Sequence, residues 1–389
     1  MFKKLVSVND SSSSQRIEII NSGIFSVGVD EGGTSVSGGL FDDKGALVKG
    51  SEFKFKTTTI NNMGSNVSEN DLPYISAKKI AEQTDRFKDL GAQITNLGIS
   101  FAGPVNKQGI VIKGPNIFGP NLENIPFAKI VADATKINTG VANDMVAAGF
   151  GQMKWGAAKG LPNFLIITVS SGIGANAFLD LEPVIGSNGM AGEIGHLPVF
   201  RPEESERARH YFCGCGKWGH LEAISSGNSA AVITLNKAIN YFLRNDSRIK
   251  SSSVLSNLNP DVFKYAQLIA NDDESSPEIR ENINRVVGEG SKLGDWFTQE
   301  IYDTVIPPVA QALVSADIFN DMDKVVLVGS YGLKMPGYIQ TLNLVLQSYL
   351  ATSGFAFKAN SDFANNLIMQ GVDMRAEQAA ATIPWQVSL

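Results

Sequence analysis

Cysteine is scarce in this sequence: of 389 residues only Cys213 and Cys215 carry a thiol, with one glycine between them. A secreted scaffold would spread several pairs along the chain, so a disulfide framework is excluded. Long apolar runs are also missing. No uninterrupted stretch reaches the ~18 residues of a spanning helix, and Met1-Phe2-Lys3-Lys4 leads into polar residues where a signal peptide would be apolar. A cytoplasmic chain with no membrane partner is expected. Nor is there an excess of positive charge: 33 Lys and Arg stand against 39 Asp and Glu, a net charge of −6 that repels a phosphate backbone and speaks against nucleic-acid binding. What the chain does have is 43% hydrophobic and 19% charged residues, which excludes disorder, and 38 glycines. Its length exceeds the ~250–300 residues at which single cores stop growing, so two lobes are expected.

Residues 1–22 read as an extension, either an arm or an extra edge strand. From Phe25 the pattern becomes regular. Phe25 to Val29, Ser35 to Phe41 and Ala46 to Phe55 read as a three-strand meander. Ile75 to Leu90 has helical spacing and stops at Gly91. Leu97 to Phe101 is a buried strand, Phe127 to Thr135 a helix, and Thr139 to Ala142 a strand that delivers Asn143-Asp144. Phe164 to Val169 and Ala175 to Leu179 repeat the strand–glycine turn–strand unit of the first half. A helix from about Ser229 to Asn245, a last strand at Lys324 to Val328 and a C-terminal helix at Ala376 to Ala381 follow.

Four groups of residues carry chemistry. Asp30-Glu31-Gly32-Gly33-Thr34 joins two strands; glycines there let backbone N–H groups approach an anion, Thr34 adds a hydroxyl, and Asp30 suits a phosphate site only with Mg²⁺ or its waters between. The alternative is an ordinary hairpin turn. Ser170-Ser171-Gly172-Ile173-Gly174 is the same kind of corner in the second half; two such corners can hold opposite sides of a polyphosphate. Asn143-Asp144 at a strand end suits a general base beside an orienting amide, or else a helix N-cap. The densest group is Glu193-Ile194-Gly195-His196 followed by Cys213-Gly214-Cys215-Gly216-Lys217-Trp218-Gly219-His220-Leu221-Glu222. His196, Cys213, Cys215 and His220 are the number and kind of ligands that a closed tetrahedral zinc site needs, structural rather than catalytic because no position would stay open for a water; the alternative is a pair of small buried apolar cysteines. The remaining histidine, His210, reads as solvated. Glu193 and Glu222 flank the group as acceptors for sugar hydroxyls, or as solvent-facing glutamates.

These residues resemble the ROK family of sugar kinases and repressors, within the actin-like ATPase superfamily, from about residue 24 to 385. The Glu193-x-Gly-His196 and Cys-Gly-Cys-Gly-x-x-Gly-x-x-Glu222 pattern is the most specific part. The resemblance implies an α/β, two-lobed actin-like ATPase (ribonuclease H-like) fold with a zinc clip in the large lobe. The small lobe would be residues 23–144 completed by a C-terminal helix at 375–389, the large lobe residues 145–374 with the zinc motif at 196–220. By position, Asp30, Gly32, Gly33 and Thr34 match the first phosphate motif, Ser171, Gly172 and Gly174 the second, and Gly329 the adenosine motif. Asp144 matches the catalytic base; Gly103, Asn116, Asn143, Glu193, His196 and Glu222 match sugar-holding residues.

The implied reaction passes the γ-phosphoryl group of Mg-ATP to the 6-hydroxyl of a hexose, with glucose first and an N-acetylhexosamine or fructose next. The implied cofactors are ATP, Mg²⁺ and structural Zn²⁺, and the implied assembly a homodimer or homotetramer. Several positions depart from the family pattern: His220 replaces a cysteine, Glu31 an aliphatic residue, Ser171 a threonine and Ser330 a glycine, and residues 200–210 form a charged insert. A ROK-type transcriptional regulator is disfavoured by acidity and by the two dozen residues before the first strand. A non-catalytic sugar sensor is disfavoured by the presence of Asp30 and Asp144.

Overall fold

A computed structural model describes residues 23–59, 67–199, 212–352 and 367–384. The N-terminal extension, the 200–210 insert with His210, and the tail after 384 lie outside the described residues. Two compact units are present: Met1–Gly160 with Pro183–Ala191 and Val372–Leu389, and Leu161–Glu182 with Gly192–Gly371.

The first unit is built on a sheet of β1 (Ile24–Glu31), β2 (Ser35–Phe41), β3 (Phe53–Lys56), β4 (Gln93–Phe101) and, after a small hairpin of β5 (Val111–Lys113) and β6 (Glu123–Ile125), β7 (Thr139–Asn143). Its order is β3-β2-β1-β4-β7. The β1–β2 and β2–β3 pairs are antiparallel and β1–β4 and β4–β7 parallel. On one face Val27, Val29, Leu97, Ile99 and Val141 join a core with Ile80 and Phe87 of helix α1 (Leu72–Asp89) and Phe127 and Val131 of α2 (Phe127–Thr135). Gly28, Gly98 and Gly140 stand side by side across three strands on the opposite face. They have no Cβ because the C-terminal segment lies against them: a Cβ would overlap the carbonyls of Glu377, Ala380 and Pro384 respectively.

Two expectations change here. The third strand is only Phe53–Lys56: Val48 N–H donates to the Leu40 carbonyl and Ser51 N–H then closes a turn on the Val48 carbonyl, so the segment before Phe53 bends instead of extending. Helix α3 (Asp144–Trp155), placed by sequence at the start of the large lobe, lies in the first unit. Its Gln152 exchanges two hydrogen bonds with the backbone of Val372, and Gly151 backs onto Ala379.

In the second unit β8 (Phe164–Val169), β9 (Ile173–Leu179), β10 (Lys324–Val328) and β11 (Ile368–Gln370) run in the order β9-β8-β10-β11, one antiparallel pair and then parallel ones. That repeats β2-β1-β4-β7 of the first unit. Lys324–Val328 is therefore not the last strand; the three-residue β11 follows it. Helices α4 (Leu221–Ser225), α5 (Gly227–Leu243), α6 (Ser253–Leu258), α7 (Val262–Ala270), α8 (Ser276–Lys292), α9 (Trp296–Asn320), α10 (Ser330–Lys334) and α11 (Tyr338–Thr352) complete the unit. The short α12 (Ala376–Ala380) belongs to the first. Among the described residues no helix is long and apolar enough to cross a membrane.

Candidate active site

The carboxyl ends of β1, β4 and β7 are level: Glu31 pairs with Phe101, which pairs with Asn143. In a parallel sheet these ends are where ligands bind. Asp30 lies opposite Ser100, whose hydroxyl donates to its carboxylate at 3.0 Å. Burial raises the Asp30 pKa, the Ser100 hydrogen bond opposes this, and Glu377 adds repulsion. Gly32 and Gly33 make the corner; the Gly32 N–H reaches the Ser35 carbonyl, and Gly33 lies against Asn116. Thr34 is exposed, and its carbonyl accepts the N–H of Thr57.

Glu31 faces the other way. It is fully buried and takes the Ser76 hydroxyl on both carboxylate oxygens, at 2.8 and 2.9 Å. Burial, above all, pushes its pKa up to about 7; Ser76 pulls it down and Asp30 raises it further. The extra charge at this corner is thus neutralisable and tied to α1, on the side of the sheet away from Asp30.

Asn143 is the N-cap of α3, accepting the Met145 N–H at 2.9 Å, and its amide donates to the Gly103 carbonyl at 3.2 Å. The amide therefore both caps the helix and holds the loop carrying Gly103. Asp144, in the first helical turn, is exposed and also accepts from Met145 N, at 2.8 Å. The pair divides its positions: Asn143 supplies the cap, and Asp144 presents a carboxylate at the strand end. The first unit thus brings together Asp30, Gly32, Gly33, Thr34, Gly103, Asn116, Asn143 and Asp144 around the carboxyl ends of its parallel strands.

The second unit assembles the rest. At its corner Ser170 N–H donates to the Gly172 carbonyl, and Gly174 pairs with Thr168. Gly329 has a φ of 93° and a Cβ there would strike Thr168 and Val169, so this residue must be glycine for α10 to start beside the corner. Ser330 then contacts Ser170, Oγ to Oγ, at 3.2 Å. A groove of about 580 Å³ runs from Ser170 and Ser171 past Asn284 and Tyr331 to Met335 and Pro336. Its serine and glycine end suits phosphate and its apolar end a base.

The four candidate ligand side chains come together in the second unit. Cys213 N–H donates to Lys217 O and Gly216 N–H to Cys213 O, closing a tight turn. Bridges Pro198–His220 and Phe212–Trp218 clamp it. The ligand atoms of His196, Cys213, Cys215 and His220 lie within 4.8 Å of one another. His196 Nδ1 is 3.5 Å from Cys213 Sγ and His220 Nδ1 is 3.3 Å from Cys215 Sγ. Tetrahedral zinc with Zn–S and Zn–N bonds of about 2.3 and 2.0 Å spans an N···S edge of about 3.5 Å, so the donor set fits that ion. The other His196 nitrogen, Nε2, turns to Glu193 at 3.9 Å. His220 is also the N-cap of α4, which places Glu222 in the first turn of that helix.

Sequence reasoning passed over Ser100, Asn228 and Asn284. Ser100 could have been found as the register partner of Asp30. Nothing in the local sequence of α8 marks Asn284, whose amide donates to the Gly227 carbonyl at 2.9 Å.

The ROK family model matches residues 26–366. A C(7)-cyclitol 7-kinase of Streptomyces hygroscopicus subsp. jinggangensis is 28% identical over 272 residues, 68% of this chain and 68% of that protein. A glucokinase of Thermotoga maritima is 27% identical over 335 residues, 84% of this chain and 90% of that protein. Among solved structures, a ROK family glucokinase from Streptomyces griseus in complex with glucose and AMPPNP has a TM-score of 0.61 at 19% identity, covering 92% of this chain and 97% of that one.

Proposed function

The chain belongs to the ROK family, and on that footing we propose that it is an ATP-dependent hexose kinase acting on the 6-hydroxyl of glucose, with an N-acetylhexosamine or fructose as the next candidates. Relatives named as glucokinase and cyclitol kinase support the reaction class and leave the acceptor open. The observation that carries the reading is the division of labour at β7: Asn143 caps α3 and holds Gly103, while Asp144 presents an exposed carboxylate.

Asp144 would take the proton of the attacking hydroxyl as its oxygen bonds to the γ-phosphorus and the bond from that phosphorus to the bridging oxygen breaks, ADP leaving with the electron pair, while Asn143 and Gly103 orient the acceptor. Glu193, His196 and Glu222 would accept and donate hydrogen bonds to ring hydroxyls. The corner Ser171-Gly172-Ile173-Gly174 and the groove beside Gly329 would hold the nucleotide, and Asp30 with Gly32, Gly33 and Thr34 would face its phosphates through Mg²⁺. Bound Mg²⁺ would offset charge on the phosphoryl oxygens. Zinc in the His196, Cys213, Cys215, His220 cluster would fix the loop that carries the sugar-holding residues.

The test is ADP release in a coupled assay with Mg-ATP over a panel of hexoses, N-acetylhexosamines and cyclitols, with zinc content measured on the same sample. Turnover with glucose above the other sugars is expected. No release with any acceptor would overturn the kinase reading in favour of a sugar sensor.

A further inference from the structure

Helix α8 lines the donor groove with one face, Arg280, Asn284 and Gly288, at successive turns. Asn284 donates to the Gly227 carbonyl, and Gly227 N–H donates to the carbonyl of Ser170 at 2.7 Å, so the middle of this face is tied to the phosphate corner. Gly288 sits against Met335 and Pro336 at the apolar end. Arg280, one turn before Asn284, is at the other end.

A second cavity, of about 680 Å³, adjoins the first and is bordered by Glu222, Cys213 and α5. Ser171, Asn228 and Arg280 line both cavities. Arg280 thus stands where the donor groove meets the space beside Glu222. Its Nε is buried and has no hydrogen-bond partner, and no carboxylate pairs with its guanidinium among the described residues. Two other cations of the groove are engaged locally, Arg285 with Asn282 at 2.7 Å and Lys292 with Glu289 at 2.8 Å, and Lys334 lines it beside Met335 and Pro336, at the end away from Arg280. A guanidinium with a buried, unsatisfied N–H is costly unless an anion completes it.

We propose that Arg280 binds the terminal phosphate of the nucleotide donor and stabilises the phosphoryl group as it transfers. The assignment rests on the donor reading of the groove. The base end is set by Gly288, Met335 and Pro336, and the corner at Ser170 and Ser171 takes the middle of the phosphate chain, so the γ-phosphate is the part that reaches the shared wall. An arginine fork pairs with two of the three equatorial phosphoryl oxygens, and an interaction with a charge aimed there strengthens in the transition state.

The experiment compares ATP (as AMPPNP) and ADP binding to the full chain by calorimetry, for the wild type, Arg280→Gln and Arg280→Lys, with kcat measured on the best acceptor. Arg280→Gln is expected to weaken AMPPNP tenfold or more while ADP changes less than twofold, and to lower kcat by about a hundredfold. Arg280→Lys, which keeps the charge but not the fork, should fall between. Unchanged melting temperatures report intact folding, and Arg280→Lys serves if Arg280→Gln does not fold. Equal loss of AMPPNP and ADP affinity, or no loss of either, overturns the proposal. If no acceptor is turned over but Arg280 still sets the AMPPNP-to-ADP ratio, the kinase reading fails and the phosphate contact stands. If the wild type binds neither nucleotide, both fail.

Discussion

Glu222 accepts the backbone N–H of Ile173 through Oε2 at 3.1 Å, inside the second glycine corner. Its other oxygen lies 3.8 Å from the Cys213 sulfur. One carboxylate therefore links the second glycine corner, the cysteine–histidine cluster and the start of α4. A hydrogen bond from a backbone N–H to a carboxylate is of the stronger kind, and its loss frees the corner as well as any sugar contact.

Glu222→Gln should raise KM for ATP and for sugar together, each by roughly tenfold, since the amide is a weaker acceptor for Ile173 N–H. Glu193→Gln should raise KM for sugar and leave that for ATP within about twofold. Steady-state kinetics with each substrate varied in turn makes the comparison. An effect of Glu222→Gln on sugar alone would deny the link through Ile173.

Asp144→Asn should lower kcat by about 10²–10⁴ with little change in melting temperature, because the Asn143 cap of α3 remains. Asn143→Ala should instead cost about 1 kcal/mol of stability through the lost cap and also loosen the Gly103 loop. Pairing kcat with thermal melts for the two variants separates chemistry from capping. Near-normal turnover in Asp144→Asn would remove it as the base.

Much of this site was legible in advance because its signals are local. Glycine corners, a strand ending in Asn143-Asp144 and the cysteine–histidine spacing each lie within a few residues of one another. What was not legible depends on distant pairings. The placement of α3 in the first unit rests on Gln152 and Val372, 220 residues apart. The third strand starts late because the segment before it turns back on β2, where the Ser51 hydroxyl takes the Leu40 N–H from eleven residues away. The three residues of β11 are too few to show a period, and Arg280 is one cation among several on α8 until its neighbours in space are known.

Removal of the metal tests the cluster. The purified chain should hold about one zinc, and a strong chelator should lower its melting temperature and raise KM for sugar, both restored by added zinc. Cys215→Ser, at the exposed ligand, should retain less zinc than the wild type and show the same direction of change. Elemental analysis beside thermal melts decides this; a chain free of metal with unaltered melting would refute a structural zinc.

The glycine row offers a stability test with an internal control. Gly98 faces the Ala380 carbonyl, so Gly98→Ala must displace the C-terminal segment from the sheet and should cost about 3 kcal/mol or more. At Gly214 an added methyl would meet no atom within 4 Å, and Gly214→Ala should stay within about 0.5 kcal/mol. Urea melts of both variants measure the difference. Similar stabilities would mean that the segment Ala376–Pro384 yields at little cost.

Glu31 makes stability depend on pH in a direction opposite to most carboxylates. Its pKa is raised from 4.5 to about 7 in the fold, chiefly by burial. Between those values the unfolded chain has lost the proton while the folded chain keeps it, so stability falls as pH rises from about 4.5 to 7 and levels off above. The full effect is about 3 kcal/mol. Glu31→Gln keeps an acceptor for the Ser76 hydroxyl and removes the ionisation. The stability of that variant relative to wild type should therefore increase from pH 5 to pH 8 by an amount of this order, while groups common to both chains cancel. Urea titrations at four pH values provide the measurement. Parallel curves would show that the Glu31 carboxyl ionises in the fold as readily as it does in water.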